Sequence, residues 1–328
     1  MSVPKQPDDK RKQPKPKVVA ESLAETPAAM PALSGALFPK PDLSADATKT
    51  FIKISNDTAS ALITPPEFSK RRLPDGVLYF GLGDGTGAHC IQADSAFYQT
   101  SPSGNLMYGV ADGMGAGEEP AYASKYTLSE LMRQTAGGVF DKPAGAGNVI
   151  KAFSSSLSAI HSKLLETSQA RTTLAGVLER PEGFYVFSIE NSRVYGFRQD
   201  GSVEPLTRDD SPTQDFVDRG TPEDSPLLAH PNLLKVTPVV LGSEELKKDF
   251  VRMIPRGDYT GFLVLTDGIT DELRVKSESE RFHPKTALLK AFASVNPAIA
   301  LVDMVYDRPF NPEEMDNCAV IARKFNPK

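Results

Sequence analysis

The sequence has little that would tie it to a membrane, a disulfide framework or a nucleic acid. Only two cysteines occur, Cys90 and Cys318, each in an apolar or strand-like run and neither in a paired-ligand motif such as CxxC. They read as small buried residues of a reducing compartment. No apolar run approaches the roughly 20 residues that cross a bilayer, and "MSVPKQPDDKRKQPKPK" lacks the apolar stretch of a secretion signal. The expectation is a cytoplasmic chain with no membrane contact. A formal net charge of -5 over 328 residues gives no overall field for nucleic acid. Serine-elbow, reactive-cysteine and P-loop motifs are missing too. "GLGDGTGAH" falls short of a dinucleotide fingerprint, because Thr86 stands where the third glycine belongs and a strand follows. "DGMGAGEE" lacks oxygen-bearing side chains at the third and fifth positions of an EF-hand loop.

What remains is an ordinary globular composition, 40% hydrophobic and 24% charged, enough for a substantial core. Residues 1–48 are rich in Pro, Lys and Ala without helical or strand periodicity, and read as a disordered arm whose basic "KRKQPKPK" is a solvated tail. Residues 49–328 read as the folded part. "GVLYFGLGDG", "QADSAFYQT" and "NLMYGVADG" predict strands, and "EEPAYASKYTLSELMRQT" predicts a helix with acids and Pro120 at its start. Val149, Phe153, Leu157, Ile160 and Leu164 recur at helical spacing over 149–167. "TTLAGVLE", "GFYVFSIE" and "SRVYGFRQDGSVEPLT" predict antiparallel hairpins joined by short turns. About 208–258 reads as a long surface excursion. Then "GFLVLTDGITDEL" predicts a buried strand, 285–293 and 297–306 predict helices, and "NCAVIARKF" a last strand. Strands in runs with helices grouped between them indicate a layered α+β sandwich.

Asp112, Asp267 and Asp316 fall where core strands meet loops, and the first two are followed by glycine. A single Asp-Gly at a strand end is commonly a turn. Two carboxylates about 4 Å apart would repel by about 4 kcal/mol at an effective dielectric near 20. Converging acids therefore need a cation or protons. Mg²⁺ and Mn²⁺ take oxygen ligands of this kind, and Gly113, lacking Cβ, would let its carbonyl approach one.

The ordered set "VADGMGAGEEPAYAS", "TTLAGVL", "ENSRVYGFRQDGSVEPLTRDDS", "LVLTDGITD" and "DNCAVI", spread from about Val77 to Phe325, resembles the metal-dependent protein phosphatases of the 2C type, in their bacterial-like form. The resemblance implies a four-layer αββα sandwich and two Mg²⁺ or Mn²⁺ ions. Asp112 would bridge both ions, the Gly113 carbonyl would hold one, and Asp267 and Asp316 the other. Asp94 matches an acid that supports metal-associated water, and Asp271 a position behind the ligands. The implied activity is hydrolysis of phosphoserine and phosphothreonine in a phosphorylated protein substrate by a monomeric enzyme. Rate enhancements for phosphate monoesters approach ~10²¹, beyond the ~10² to 10⁴ of a single general base, so metals would carry much of the effect.

The chain departs from the family pattern at the phosphate end. His89 stands where an arginine usually grips phosphate; it can hydrogen-bond phosphate but lacks the planar fork. Ala93 replaces an acid, no acid stands at Ser168 where a third-metal ligand belongs and nearby Glu166 is not assigned that role, and Arg171 occupies a normally small position from which it could replace the missing arginine. Glu190 and Asn191 replace a usual Gly-Asp, a change expected to touch the hairpin more than the metals. His161, His230 and His283 are assigned no role. These departures leave a second reading open, a pseudophosphatase that keeps the fold as a binding module.

Overall fold

Period-two alternation in the strands is answered on both of their faces. In β11 (Tyr259–Leu265) Phe262 and Val264 enter one core while Leu263 and Leu265 enter another. Such a strand must lie between two layers. The computed structural model describes residues 60–63, 68–86, 89, 91–115, 118–142, 144–166, 171–222, 224–229, 240–243, 246, 249–275, 280, 282–307 and 315–327. The predicted arm, Cys90, Ser168 and His230 lie outside them.

Two six-stranded antiparallel sheets stack face to face. Sheet A has the order β1 (Ser60–Ile63), β4 (Ser95–Thr100), β5 (Leu106–Ala111), β6 (Leu174–Arg180), β7 (Gly183–Ile189), β10 (Val251–Ile254). Sheet B has the order β2 (Ser69–Leu73), β3 (Gly76–Gly83), β12 (Cys318–Phe325), β11, β8 (Arg193–Arg198), β9 (Val203–Pro205). Between them lies a core that includes Leu78, Phe80, Tyr108, Val186, Phe262 and Ile321. Each such fully buried side chain contributes about 1.5–3 kcal/mol.

Helices cover the outer faces. On sheet A, α1 (Glu118–Ala136) and α2 (Ala146–Glu166) bury Leu128, Leu131, Phe153, Leu157 and Ile160 against Met107, Leu174 and Phe187. On sheet B, α4 (Asp267–Val275), α5 (Lys285–Ala293) and α6 (Pro297–Tyr306) do the same with Ile269, Leu273, Leu288 and Leu301. Asn296 starts α6 by accepting from the amides of Ala298 and Ile299, with Pro297 at the first helical position. The architecture is the expected αββα sandwich. Among the described residues, no helix is long and apolar enough to cross a membrane.

The structure corrects the sequence reading in detail. The stretch expected as a loose excursion contains α3 (Pro212–Asp218), capped by Ser211, and β10, which pairs with β7 as an edge of sheet A. Its Leu241 also exchanges backbone hydrogen bonds with Thr172. Asp267 is the first residue of α4, where the sequence suggested only polar residues after a strand. The predicted α2 began at 149, three residues late.

At one end of the sandwich a buried cation ties the sheets together. Arg323 of β12, 0% exposed, donates to Glu179 of β6 (Nε to Oε1, 2.9 Å) and reaches Asp75 in the β2–β3 turn. Removing one partner of a buried pair strands the other charge. We expect Arg323→Ala to lower unfolding stability in urea by about 3–5 kcal/mol; a change below about 1 kcal/mol would show that the pair is replaceable.

Candidate metal centre

Strand register brings the acids together. Ser95 of β4 pairs with Ala111 of β5, so Asp94, just before one strand, and Asp112, just after the other, meet at one end of sheet A. In sheet B, Leu265 pairs with Val320, which places Asp267 beyond the end of β11 and Asp316 ahead of the start of β12 on the same side. Asn317 joins the two sheets there. Its Oδ1 accepts from the Ala93 amide (2.9 Å), its Nδ2 donates to the His89 carbonyl (2.8 Å), and its own amide donates to Asp316 Oδ1 (2.8 Å).

The acids stand close enough to act on one another's charge. Burial raises the Asp94 carboxyl well above its usual range, with Asp316 and Asp267 adding to the shift. Burial does the same at Asp112, reinforced by Asp94, Asp267 and Asp316. Asp267 is pushed up to about 7, first by burial and then by Asp316 and Asp271. At Asp316 the upward push of burial is partly offset by His89. Both oxygens of Asp94 and Oδ1 of Asp267 are buried without a hydrogen-bond partner of acceptable geometry. Buried carboxylate oxygens left in this way fit a hard cation, which accepts oxygen ligands and removes the repulsion. As the side chains stand, no three His, Cys, Asp or Glu residues among those described form a ready ligand set, so coordination calls for side-chain rotation within the cluster.

Neighbouring residues hold the acids in place. Thr173 binds Asp112 twice, its amide to the Asp112 carbonyl (2.8 Å) and its Oγ1 from the Asp112 amide (3.2 Å), while Thr172 Oγ1 donates to the same carbonyl (2.7 Å). Asn191 Nδ2 donates to Asp267 Oδ2 (2.7 Å). Glu190 before it holds φ +71, the left-handed region that favours glycine, in the turn that carries Asn191. The expectation that this pair matters to the hairpin more than to the metals is therefore corrected: Asn191 touches a predicted ligand directly. Sequence reasoning also missed Asn317, whose role depends on contacts across more than 200 residues of chain.

Residues 85–304 match the family model for protein phosphatase 2C. The chain belongs to the protein phosphatase 2C family. Solved structures similar to this family member include a serine/threonine phosphatase of S. agalactiae (19% identity, 76% of this chain and 100% of that one, TM-score 0.61). Stp1 of Staphylococcus aureus (18%, 78% and 99%, 0.60) and PstP/Ppp of Mycobacterium tuberculosis (22%, 76% and 99%, 0.55) are also similar. At these identities they support the shared fold. No curated protein matches by sequence.

In this 2C-family chain the other singled-out residues take distinct places. Gly113 is enclosed: a Cβ there would lie 2.1 Å from the Pro120 carbonyl oxygen and 2.9 Å from that of Ala93. Close approach of α1 thus explains the glycine before any ligand does. Ala93 is buried, and its carbonyl accepts from the Gly113 amide (3.2 Å). His89 Nδ1 lies 3.0 Å from Asp316 Oδ1. Asp271, one turn along α4 from Asp267, pairs with Arg274 (2.8 Å). Arg171 is exposed beside Thr172, and its carbonyl accepts from the Met114 amide (3.0 Å).

Two measurements follow. Outer partners of metal ligands are worth about 10–100-fold in affinity, so we expect Asn191→Ala to weaken Mn²⁺ binding about tenfold by calorimetry; unchanged affinity would detach Asn191 from the centre. With chelator present, Asp267 titrates near 7 when folded and near 3.9 when unfolded. Its contribution to stability is full below about pH 4 and is lost as pH rises through about 7. Melting temperature of the chelated protein should fall between about pH 5 and about pH 8, and fall less in Asp267→Asn. Equal pH slopes in the two proteins would contradict the raised carboxyl.

Proposed function

We propose that the chain hydrolyses phosphoserine and phosphothreonine in proteins, acting as a monomer in the cytoplasm with two Mg²⁺ or Mn²⁺ ions. The observation that supports this most is the set of four carboxylates from four strand ends, with orphaned buried oxygens, in a protein phosphatase 2C family member. Asp112 and the Gly113 carbonyl would hold one ion, and Asp112, Asp267 and Asp316 the other. Bound cations of this class supply an activated water and neutralise charge on the phosphoryl oxygens.

The chain's own residues do the positioning. Thr172 and Thr173 fix the Asp112 backbone, and Asn191 holds one Asp267 oxygen and leaves the other for a cation. Asp94, buried behind Asp112, would accept hydrogen bonds from water in the cluster. Asp271, held by Arg274, adds negative charge behind Asp267. The water oxygen bonds to phosphorus, the phosphorus–oxygen bond to the Ser or Thr side chain breaks, and that oxygen takes a proton. Arg171 is exposed and charged at the edge of the cluster and would grip substrate phosphate; His89, with Nδ1 against Asp316, would offer its other ring nitrogen.

The His89–Asp316 contact favours a second reading, since it occupies an oxygen of a proposed ligand where the family usually has a phosphate-binding arginine. With Ala93 in place of an acid, the fold would then serve as a pseudophosphatase, a binding module with weak or no turnover.

Hydrolysis of a phosphothreonine peptide in Mn²⁺ separates the two. For the enzyme, Asp112→Asn or chelator should reduce kcat/KM by at least about a hundredfold, the scale on which loss of one charge-stabilising group acts. Activity surviving both treatments would sink the metal assignment. No turnover in the natural chain together with tight Mn²⁺ binding would establish the pseudophosphatase.

A further inference from the structure

One edge strand of sheet B, β2, carries a concentrated positive charge. β2 reads Ser-Lys-Arg-Arg-Leu and is exposed over its first four residues. In a protein of net charge -5, Lys70, Arg71 and Arg72 form a local cationic run. Among the described residues no acid forms an ion pair with any of them. In sequence the run is flanked by Glu67, outside the described residues, and by Asp75, which Arg323 engages.

Register sorts these cations onto two faces. Lys70 pairs with Tyr79 and Arg72 with Val77, so these four side chains share the outer face of sheet B. Leu73, on the opposite face with Arg71, packs against the core between the sheets. Lys70, Arg72, Val77, Tyr79 and Asn326 line a recess of about 310 Å³, near the lower end of the range of ligand sites. Its floor is half-buried and apolar to aromatic, and two exposed cations stand over it. Asn326 is fixed by donating its side-chain amide to the Pro74 carbonyl (3.2 Å) and its backbone amide to that of Asp75 (2.8 Å).

We propose that this recess docks an extended acidic peptide of a partner protein. Charge complementarity selects the occupant: two cations that pair with no acid among the described residues attract carboxylates spaced two residues apart, the spacing of Lys70 and Arg72 along β2. Among the described residues no strand pairs with the other side of β2, so its edge can supply main-chain hydrogen bonds to such a peptide. Charged residues on an edge strand ordinarily repel a second strand. Here all three have one sign, which turns repulsion into attraction for an acidic strand.

The recess lies away from the acid cluster. β3 runs from Gly76 at the recess to Gly83, which pairs with Cys318 beside Asn317, about 23 Å at about 3.3 Å per residue. Docking is therefore independent of hydrolysis.

The test is fluorescence anisotropy of the full chain with a fluorescein-labelled peptide of alternating Glu and Thr, against its Gln-Thr counterpart. The Glu peptide should bind, weaken with added salt, and lose at least about tenfold in affinity with Lys70→Glu/Arg72→Glu. Arg71→Glu, on the other face, should cost less, and Asp112→Asn should bind as the natural chain does. Melting temperatures are to be matched first; Lys70→Gln/Arg72→Gln replaces the reversal if it unfolds. Equal binding of the Gln peptide, indifference to both double variants, or no binding at about 1 mM would overturn the proposal. So would displacement by a DNA oligonucleotide of equal charge, because the recess would then read charge alone.

Discussion

Four carboxylates held at one end of a two-sheet sandwich repel one another, and much of the structure exists to keep them there. Burial raises all four; Asp94, Asp112 and Asp267 are pushed further by others of the set, and Asp316 by Asp271. Isolated in a flexible chain they would separate. Here each is fixed by a strand end, and the strand ends are fixed by three apolar cores stacked through the molecule. Hydrogen bonds from Thr172, Thr173, Asn191 and Asn317 complete the restraint, so hydrophobic burial opposes electrostatic repulsion directly.

Departures from the family pattern cluster around that repulsion. An amide at Asn191 places a neutral donor, instead of a further acid, 2.7 Å from Asp267. His89 sets an ionisable nitrogen against Asp316, and Ala93 replaces an acid with a buried methyl group. The changes at Asn191 and Ala93 each remove a negative charge that the usual pattern would place there, and His89 in place of arginine removes a permanent positive one. The family architecture is thus kept with a lower concentration of charge at its centre.

Most of the frame was legible in the sequence because it rests on local signals. Helical spacing of Val149, Phe153, Leu157, Ile160 and Leu164 predicted α2, Pro297 marked the start of α6, and short apolar runs predicted β11 and β12. The order of the motifs singled out Asp112, Asp267 and Asp316, which the strand ends bring into one cluster. Other parts were not, because they depend on distant partners. β10 is a strand only because β7 lies beside it, and α4 is short, so its Ile269 and Leu273 offer little periodicity. Asn191 and Asn317 look like ordinary loop amides until the fold sets them against Asp267 and Ala93. Gly113 was read for its freedom to approach a ligand, whereas its most direct constraint is the helix above it.

That last constraint reaches beyond one residue. With the carbonyl of Pro120 where a Gly113 side chain would begin, the opening turn of α1 and the backbone next to Asp112 have no slack between them. Ser124, one turn further along the helix, also donates to the Ala93 carbonyl, next to Asp94. Any force that tilts α1 is delivered as a displacement of two acids at once, which makes this helix a lever on the centre instead of a passive cover.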